Sequence, residues 1–110
     1  MNYKIVLDKK IQEIFTDKES QLKALRQLDK YGIEERERET FRVRLDILKC
    51  CNGNYGLIDK FLDAAKQDYR DVLAWAEYPH QMELAVSADD KQKKMAIKKD
   101  REQYNEWLKK

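Results

Sequence analysis

The apolar residues of this chain recur at helical spacing over most of its length, and few residues interrupt them. The longest example runs from Ile58 to Ala76, where one helical phase persists until Pro79. The whole chain has three glycines and one proline, fewer turn residues than a β-sandwich needs. The sequence therefore predicts an all-α protein, a compact single-domain bundle of five to six helices.

Composition and charge narrow the classes of function. Charged residues make up 40% and apolar residues 42% of the chain, which is typical of small helical proteins and argues against disorder. The net charge of +2 creates no long-range field for nucleic acid or membrane. No apolar run is long enough to span a bilayer. The first residues lack the pattern of a secretory signal, so we expect a cytoplasmic protein.

Caps and turn residues predict the N-terminal helices, which occupy residues 1–33. The capping-box spacing of Thr16 and Glu19 predicts a helix start at Thr16 or Asp17. Gly32 suits the left-handed position beyond the end of that helix.

Residues 34–110 are predicted to contain the remaining helices. A central helix is expected over 34–52, with a solvent-facing first part and a wide apolar face. Residues 79–87 are predicted to form a loop, and Ser87 is predicted to cap a last helix that runs to about Leu108. The residues predicted to face the core include Leu22, Leu28, Tyr31, Phe41, Leu45, Leu48, Phe61, Ile97, Tyr104 and Trp107.

Residues 57–78 allow two interpretations. Their unbroken periodicity favours one long helix. Asp68 and Asp71, however, have the spacing of residues that cap a new helix at Tyr69. We expect helix on both sides of Asp68 and leave open whether the chain breaks there.

A few polar residues could carry chemistry. Asp68 and Asp71, with His80, could act as acid and base in an enzyme, or could cap a helix. His80 is the only histidine, and its spacing from Cys50 and Cys51 matches no metal motif. We therefore predict no catalytic site, cofactor or metal, and keep an enzyme that uses Asp68 and Asp71 as an alternative.

Two further features are predicted to be structural. Cys50 and Cys51 are adjacent and close to a helix C-terminus, where the dipole disfavours a thiolate. We expect reduced, packed thiols. Asp100 lies on the apolar face of the last helix and needs a partner, for which Arg70 or Arg101 could serve.

A basic stripe on the last helix suggests a second alternative. Lys91, Lys94, Lys98 and Arg101 lie on one side of this helix, and such a stripe could contact nucleic acid phosphates. The chain offers no basic recognition helix beside it, so a solvated face is the preferred interpretation.

Aromatic residues near helix ends favour the leading hypothesis, a non-enzymatic protein-protein interaction module. Trp75 lies off the apolar stripe of its helix, and Tyr78 and Pro79 follow it. With Trp107, these residues form the predicted contact patch for a protein partner or for a second copy of the chain. If Trp75 and Trp107 met across two helices, packing alone would account for them.

Three segments, RVRLDILK at 42–49, LIDKFLDAAKQDYRDVLAWAEYP at 57–79 and DREQYNEWL at 100–108, resemble a family of short bacterial proteins of unknown function. The resemblance covers about residues 36–108. It implies a bacterial or phage-borne, cytoplasmic, all-helical protein, and it implies no activity, ligand or catalytic residue.

Overall fold

A computed structural model describes residues 1–109, which form seven α-helices and no strand. The helices are α1 (Tyr3–Ile14), α2 (Lys18–Leu28), α3 (Thr40–Cys51), α4 (Ile58–Gln67), α5 (Tyr69–Glu77), α6 (Pro79–Met82) and α7 (Asp90–Lys109). A single 3-10 turn (Tyr55–Leu57) precedes α4. The all-α prediction is confirmed. The predicted five to six helices was too low, because residues predicted as a loop after Pro79 form α6.

The central helix is α3, which packs against α1, α4 and α5. Six of its twelve residues are buried, and each buried leucine or isoleucine contributes about 1.5–3 kcal/mol. Residues from α1 to α5 share this core, and the last turns of α7 pack on it through Trp107 and Leu108.

The start of α3 differs from the prediction. The helix begins at Thr40 rather than near residue 34. Glu37, predicted to face solvent, is buried, and its carboxylate accepts hydrogen bonds from the amides of Gly32 (2.8 Å) and Ile33 (3.2 Å). Lys66 of α4 reaches the same carboxylate at 3.2 Å. These bonds hold the segment before α3 in a non-helical path, and Glu39 has a φ of 55°, which no α-helix accommodates.

Aspartate caps set the other boundaries. Asp17 caps α2 by accepting a bond from the Ser20 amide at 2.9 Å. Asp68 is extended and accepts a bond from the Arg70 amide at 3.1 Å, so residues 57–78 form two helices. The cap of α7 is Asp89 rather than Ser87. The Asp89 carboxylate accepts a hydrogen bond from the backbone amide of Gln92 at 2.8 Å. In return, the side-chain oxygen of Gln92 accepts one from the backbone amide of Asp89 at 3.0 Å.

Three residues predicted to face the core are substantially exposed: Leu22 (54%), Phe41 (37%) and Ile97 (43%). Phe41 lies in the first turn of α3, where the cations of Lys4 and Arg44 lie 5.9 and 5.2 Å from the centre of its ring. Ile97 is exposed because the first half of α7 packs against α6 rather than against the core. Residues 79–99, here called the α6–α7 arm, contain a single buried residue, Ala96.

Candidate functional site

The end of α5 carries two exposed aromatic side chains on neighbouring positions of one face. Trp75 is 42% and Tyr78 is 39% exposed, and a separation of three residues places them about one turn apart. The Trp75 ring packs edge-on against Phe61 of α4 at 6.1 Å between centroids. Pro79 follows directly as the first residue of α6. We call Trp75, Tyr78 and Pro79 the α5 aromatic face.

Trp107 of the predicted patch lies elsewhere. Its partly buried ring packs against Tyr104 at 5.9 Å, and the Lys10 ammonium of α1 lies 4.7 Å from its centroid. The ring of Trp75 packs against Phe61 instead. The exposure of Trp75 is therefore not relieved by packing against Trp107. The structure therefore brings together three of the four predicted patch residues.

A hydrogen-bonded ion pair lies beside the α5 aromatic face. Arg42 of α3 donates to both carboxylate oxygens of Glu77, from Nε at 2.9 Å and from Nη2 at 2.6 Å. The same Nη2 donates to the Tyr78 hydroxyl at 3.1 Å. This contact fixes the orientation of Tyr78. The Arg42–Glu77 pair was not predicted from the sequence, because the two residues are 35 positions apart and helical spacing relates only near neighbours.

A second acid, Asp46, is fully buried next to this pair. The Tyr104 hydroxyl donates to Asp46 Oδ1 at 2.5 Å, and within residues 1–109 Oδ2 has no donor. Burial, reinforced by the nearby negative charge of Glu77, raises the pKa of Asp46 to about 9. Burial would also raise the pKa of Glu77, but the bonds from Arg42 outweigh it and hold that pKa below its usual value. Asp46 therefore keeps its proton at neutral pH, and Glu77 carries the charge.

Asp100 borders a cleft of about 210 Å³ between the α5–α6 junction and α7, which Tyr78 and Tyr104 also line. The carboxylate of Asp100 is buried and accepts bonds from the amides of His80 (2.8 Å) and Gln81 (3.0 Å). His80 Nδ1 lies 2.7 Å from the same carboxylate. The predicted partner, Arg70 or Arg101, was wrong. Arg70 binds Asp68, and Asp100 instead holds the start of α6.

The residues of the enzyme alternative do not converge. Asp68 is occupied by the Arg70 amide and by both Nε and Nη2 of the Arg70 side chain. Asp71 is exposed in the first turn of α5. His80 contacts Asp100 and lines a different depression from the one that Asp68 borders. This geometry favours helix capping for Asp68.

The basic stripe of Lys91, Lys94, Lys98 and Arg101 lies on the exposed side of α7. The neighbouring helix α5 carries two acids, Asp71 and Glu77, beside one exposed base, Arg70. Within residues 1–109, no group of three or more histidine, cysteine, aspartate or glutamate side chains could hold a metal ion.

Comparisons with known proteins add no relative: no protein-family model matches the chain, and neither a search of curated proteins nor one of solved structures found a match. The resemblance of residues 36–108 to short bacterial proteins stays a prediction. Over the described residues 1–109, each helix is too short or too polar to cross a membrane.

Proposed function

We propose that this chain is a non-enzymatic protein-interaction module of the bacterial cytoplasm, and that the α5 aromatic face is its contact surface. The exposure of Trp75 and Tyr78 carries this proposal. On the same helix Val72, Leu73 and Ala76 are buried, whereas Trp75 and Tyr78 lie outside the core cluster. Tryptophan and tyrosine are the residues most enriched at the energetic centres of protein interfaces.

The surroundings of the face support the same conclusion. Arg42 fixes the Tyr78 hydroxyl, and the Phe61 ring supports Trp75. Side chains that are already held in place lose little conformational entropy when a partner binds. The partner is a second protein or a second copy of this chain.

The first test addresses a second copy of the chain. Sedimentation equilibrium is measured for the wild type and for Trp75→Ala over a wide concentration range. If a homodimer forms through this face, the substitution weakens it by at least about tenfold, as expected for a central aromatic residue. Leu22→Ala is the matched control, because Leu22 is also exposed (54%) and lies on α2.

The second test addresses a different partner. A photoreactive phenylalanine analogue replaces Trp75, or Leu22 as the control, in cells that produce the protein. We expect a discrete cross-linked species from position 75 that Tyr78→Ala removes, and none from position 22. A strictly monomeric protein that yields no species specific to position 75 would refute the proposal.

A further inference from the structure

A groove of about 340 Å³ runs between α6 and the first half of α7. Leu84, Met95 and Ala96 line it with apolar atoms, and His80, Glu83 and Lys99 add polar groups. Met95 remains 52% exposed, and Met82 and Val86 of the same arm are 54% exposed and fully exposed. The α6–α7 arm therefore presents apolar surface that no other helix of the described chain covers.

The arm and the two residues that follow it, 79–101, carry a surplus of positive charge, with six basic and four acidic side chains. Six basic side chains lie between residues 91 and 101, all of them exposed: Lys91, Lys93, Lys94, Lys98, Lys99 and Arg101. None of the six forms an ion pair with another residue of the described range 1–109. The one acid among them, Asp100, is buried and bonded to His80 and Gln81. Asp89 and Asp90 are confined to the N-terminal end of α7, where Asp89 caps the helix.

Some basic residues elsewhere in the chain are bound to acids. Arg42, Lys66 and Arg70 each bind a carboxylate within 3.2 Å. Others, such as Lys18 and Lys30, form no ion pair within residues 1–109, but they are spaced apart along the chain, whereas six of the eleven residues from 91 to 101 are basic. This dense basic surface flanks an apolar groove. An apolar anchor in such a groove with acidic side chains beside it would satisfy both features, because opposite charge steers and orients a docking segment.

We propose that the α6–α7 arm binds an acidic amphipathic helix of a partner protein, with its apolar side against Leu84 and Met95 and its carboxylates against the basic residues of α7. Methionine side chains adapt to varied apolar surfaces and are frequent in grooves that bind helices. The lining of the groove shares no residue with the α5 aromatic face, so the inference does not depend on the proposed function.

Two other occupants fit less well. Between Tyr78 and Tyr104 the sequence has no phenylalanine, tyrosine or tryptophan. The one imidazole, His80, is bonded to Asp100, so the arm is a poor platform for stacking the bases of a single strand. The apolar atoms of the groove also form no hydrogen bond or ion pair with a phosphate backbone. If two copies of the chain docked through their α6–α7 arms, the basic side chains of the two arms would face each other and repel.

The test uses a labelled 18-residue peptide with leucine at helical spacing and glutamate at the remaining positions. A second peptide, with lysine in place of every glutamate, is the control. Fluorescence anisotropy at low and at physiological salt measures binding to the full chain. Backbone amide NMR shifts locate the bound peptide. We expect the acidic peptide to bind more weakly as salt rises, with shifts at Leu84, Met95 and Lys99.

Variants separate charge from apolar contact. Lys98→Glu with Lys99→Glu is expected to weaken binding by about tenfold or more through like-charge repulsion. Lys18→Glu with Lys30→Glu, which makes the same change of net charge on and after α2, is expected to leave binding within about twofold. Met95→Asp is expected to remove binding, and because Met95 is exposed the variant should keep its helical circular dichroism.

Several results would overturn the inference. They are the absence of binding, equal binding of the lysine peptide, and NMR shifts confined to the α5 aromatic face. A DNA or RNA oligonucleotide that binds the arm while the acidic peptide does not would assign the basic stripe to nucleic acid. Self-association abolished by Met95→Asp would assign the groove to a second copy.

Discussion

Asp46 links the stability of the core to pH. Its pKa is raised from the unfolded value of 3.8 to about 9, chiefly by burial. The folded protein therefore holds a proton that the unfolded chain has already released. The stabilising contribution is complete below pH 4 and is lost as pH rises through about 9. We expect the free energy of unfolding to fall between pH 6 and 9, by at most about 1.4 kcal/mol per pH unit.

Asp46→Asn provides the comparison, since the amide keeps the shape of the protonated acid and does not titrate. Urea denaturation of this variant should show a much flatter pH dependence over the same range. Asp46→Ala should destabilise the protein at every pH, because it leaves the Tyr104 hydroxyl without its acceptor. Glu77 has the opposite effect because its pKa is lowered. Its contribution to the stability of the protein is lost only as the pH falls into the acid range. A wild-type stability that is constant from pH 6 to 9 would contradict the assignment.

The two cysteines differ in exposure, but burial raises the thiol pKa of both. Cys51 is buried, and burial raises the pKa of the partly exposed Cys50 to about 12. A thiol must ionise to react, so we expect modification by a disulfide reagent at pH 7.5 to be at least about a hundredfold slower in the folded protein than in urea. Labelling of Cys50 at the rate of the unfolded chain would show that the end of α3 opens readily.

At the scale of the elements, Glu37 organises the connection between α2 and α3. Its carboxylate joins two amides of that connection to Lys66 of α4. Burial would raise the pKa of Glu37, but the bonds from Gly32 and Lys66 outweigh it and keep the group charged. Glu37→Gln keeps the size and removes the charge, and we expect it to cost about 1–3 kcal/mol. The exposed Glu35 offers the control, and Glu35→Gln should change stability by less than about 0.5 kcal/mol.

The elements also show how far sequence reasoning reaches. Helical periodicity predicted the core residues Leu28, Leu45 and Leu48 because burial repeats within one helix. Local caps were visible but ambiguous, as at Asp68, where the chain does break.

Contacts between distant residues were not predictable. The Arg42–Glu77 and Glu37–Lys66 pairs depend on how helices meet rather than on spacing within one helix. The same holds for the exposure of Ile97, which follows from the position of α7 beyond the core.

At the scale of the whole molecule, the core and the α6–α7 arm are built differently. The core is a continuous apolar cluster from α1 to α5, whereas the arm has one buried residue, Ala96. A four-residue helix such as α6 is not stable by itself. It persists because the buried carboxylate of Asp100 accepts its first free amides. The two parts should therefore open with different free energies.

Asp100→Asn tests this difference. The amide group keeps the size of the side chain but presents an N–H group toward one of the two α6 amides that the carboxylate accepts, so one hydrogen bond is lost. Hydrogen exchange read by mass spectrometry should show residues 79–89 exchanging at least about tenfold faster, while α3 and α4 keep their protection. Glu106→Gln, an exposed change on the same helix, should alter neither region. If Asp100→Asn instead accelerated exchange uniformly across all helices, the arm and the core would form one cooperative unit, and the groove would persist only as long as the whole fold.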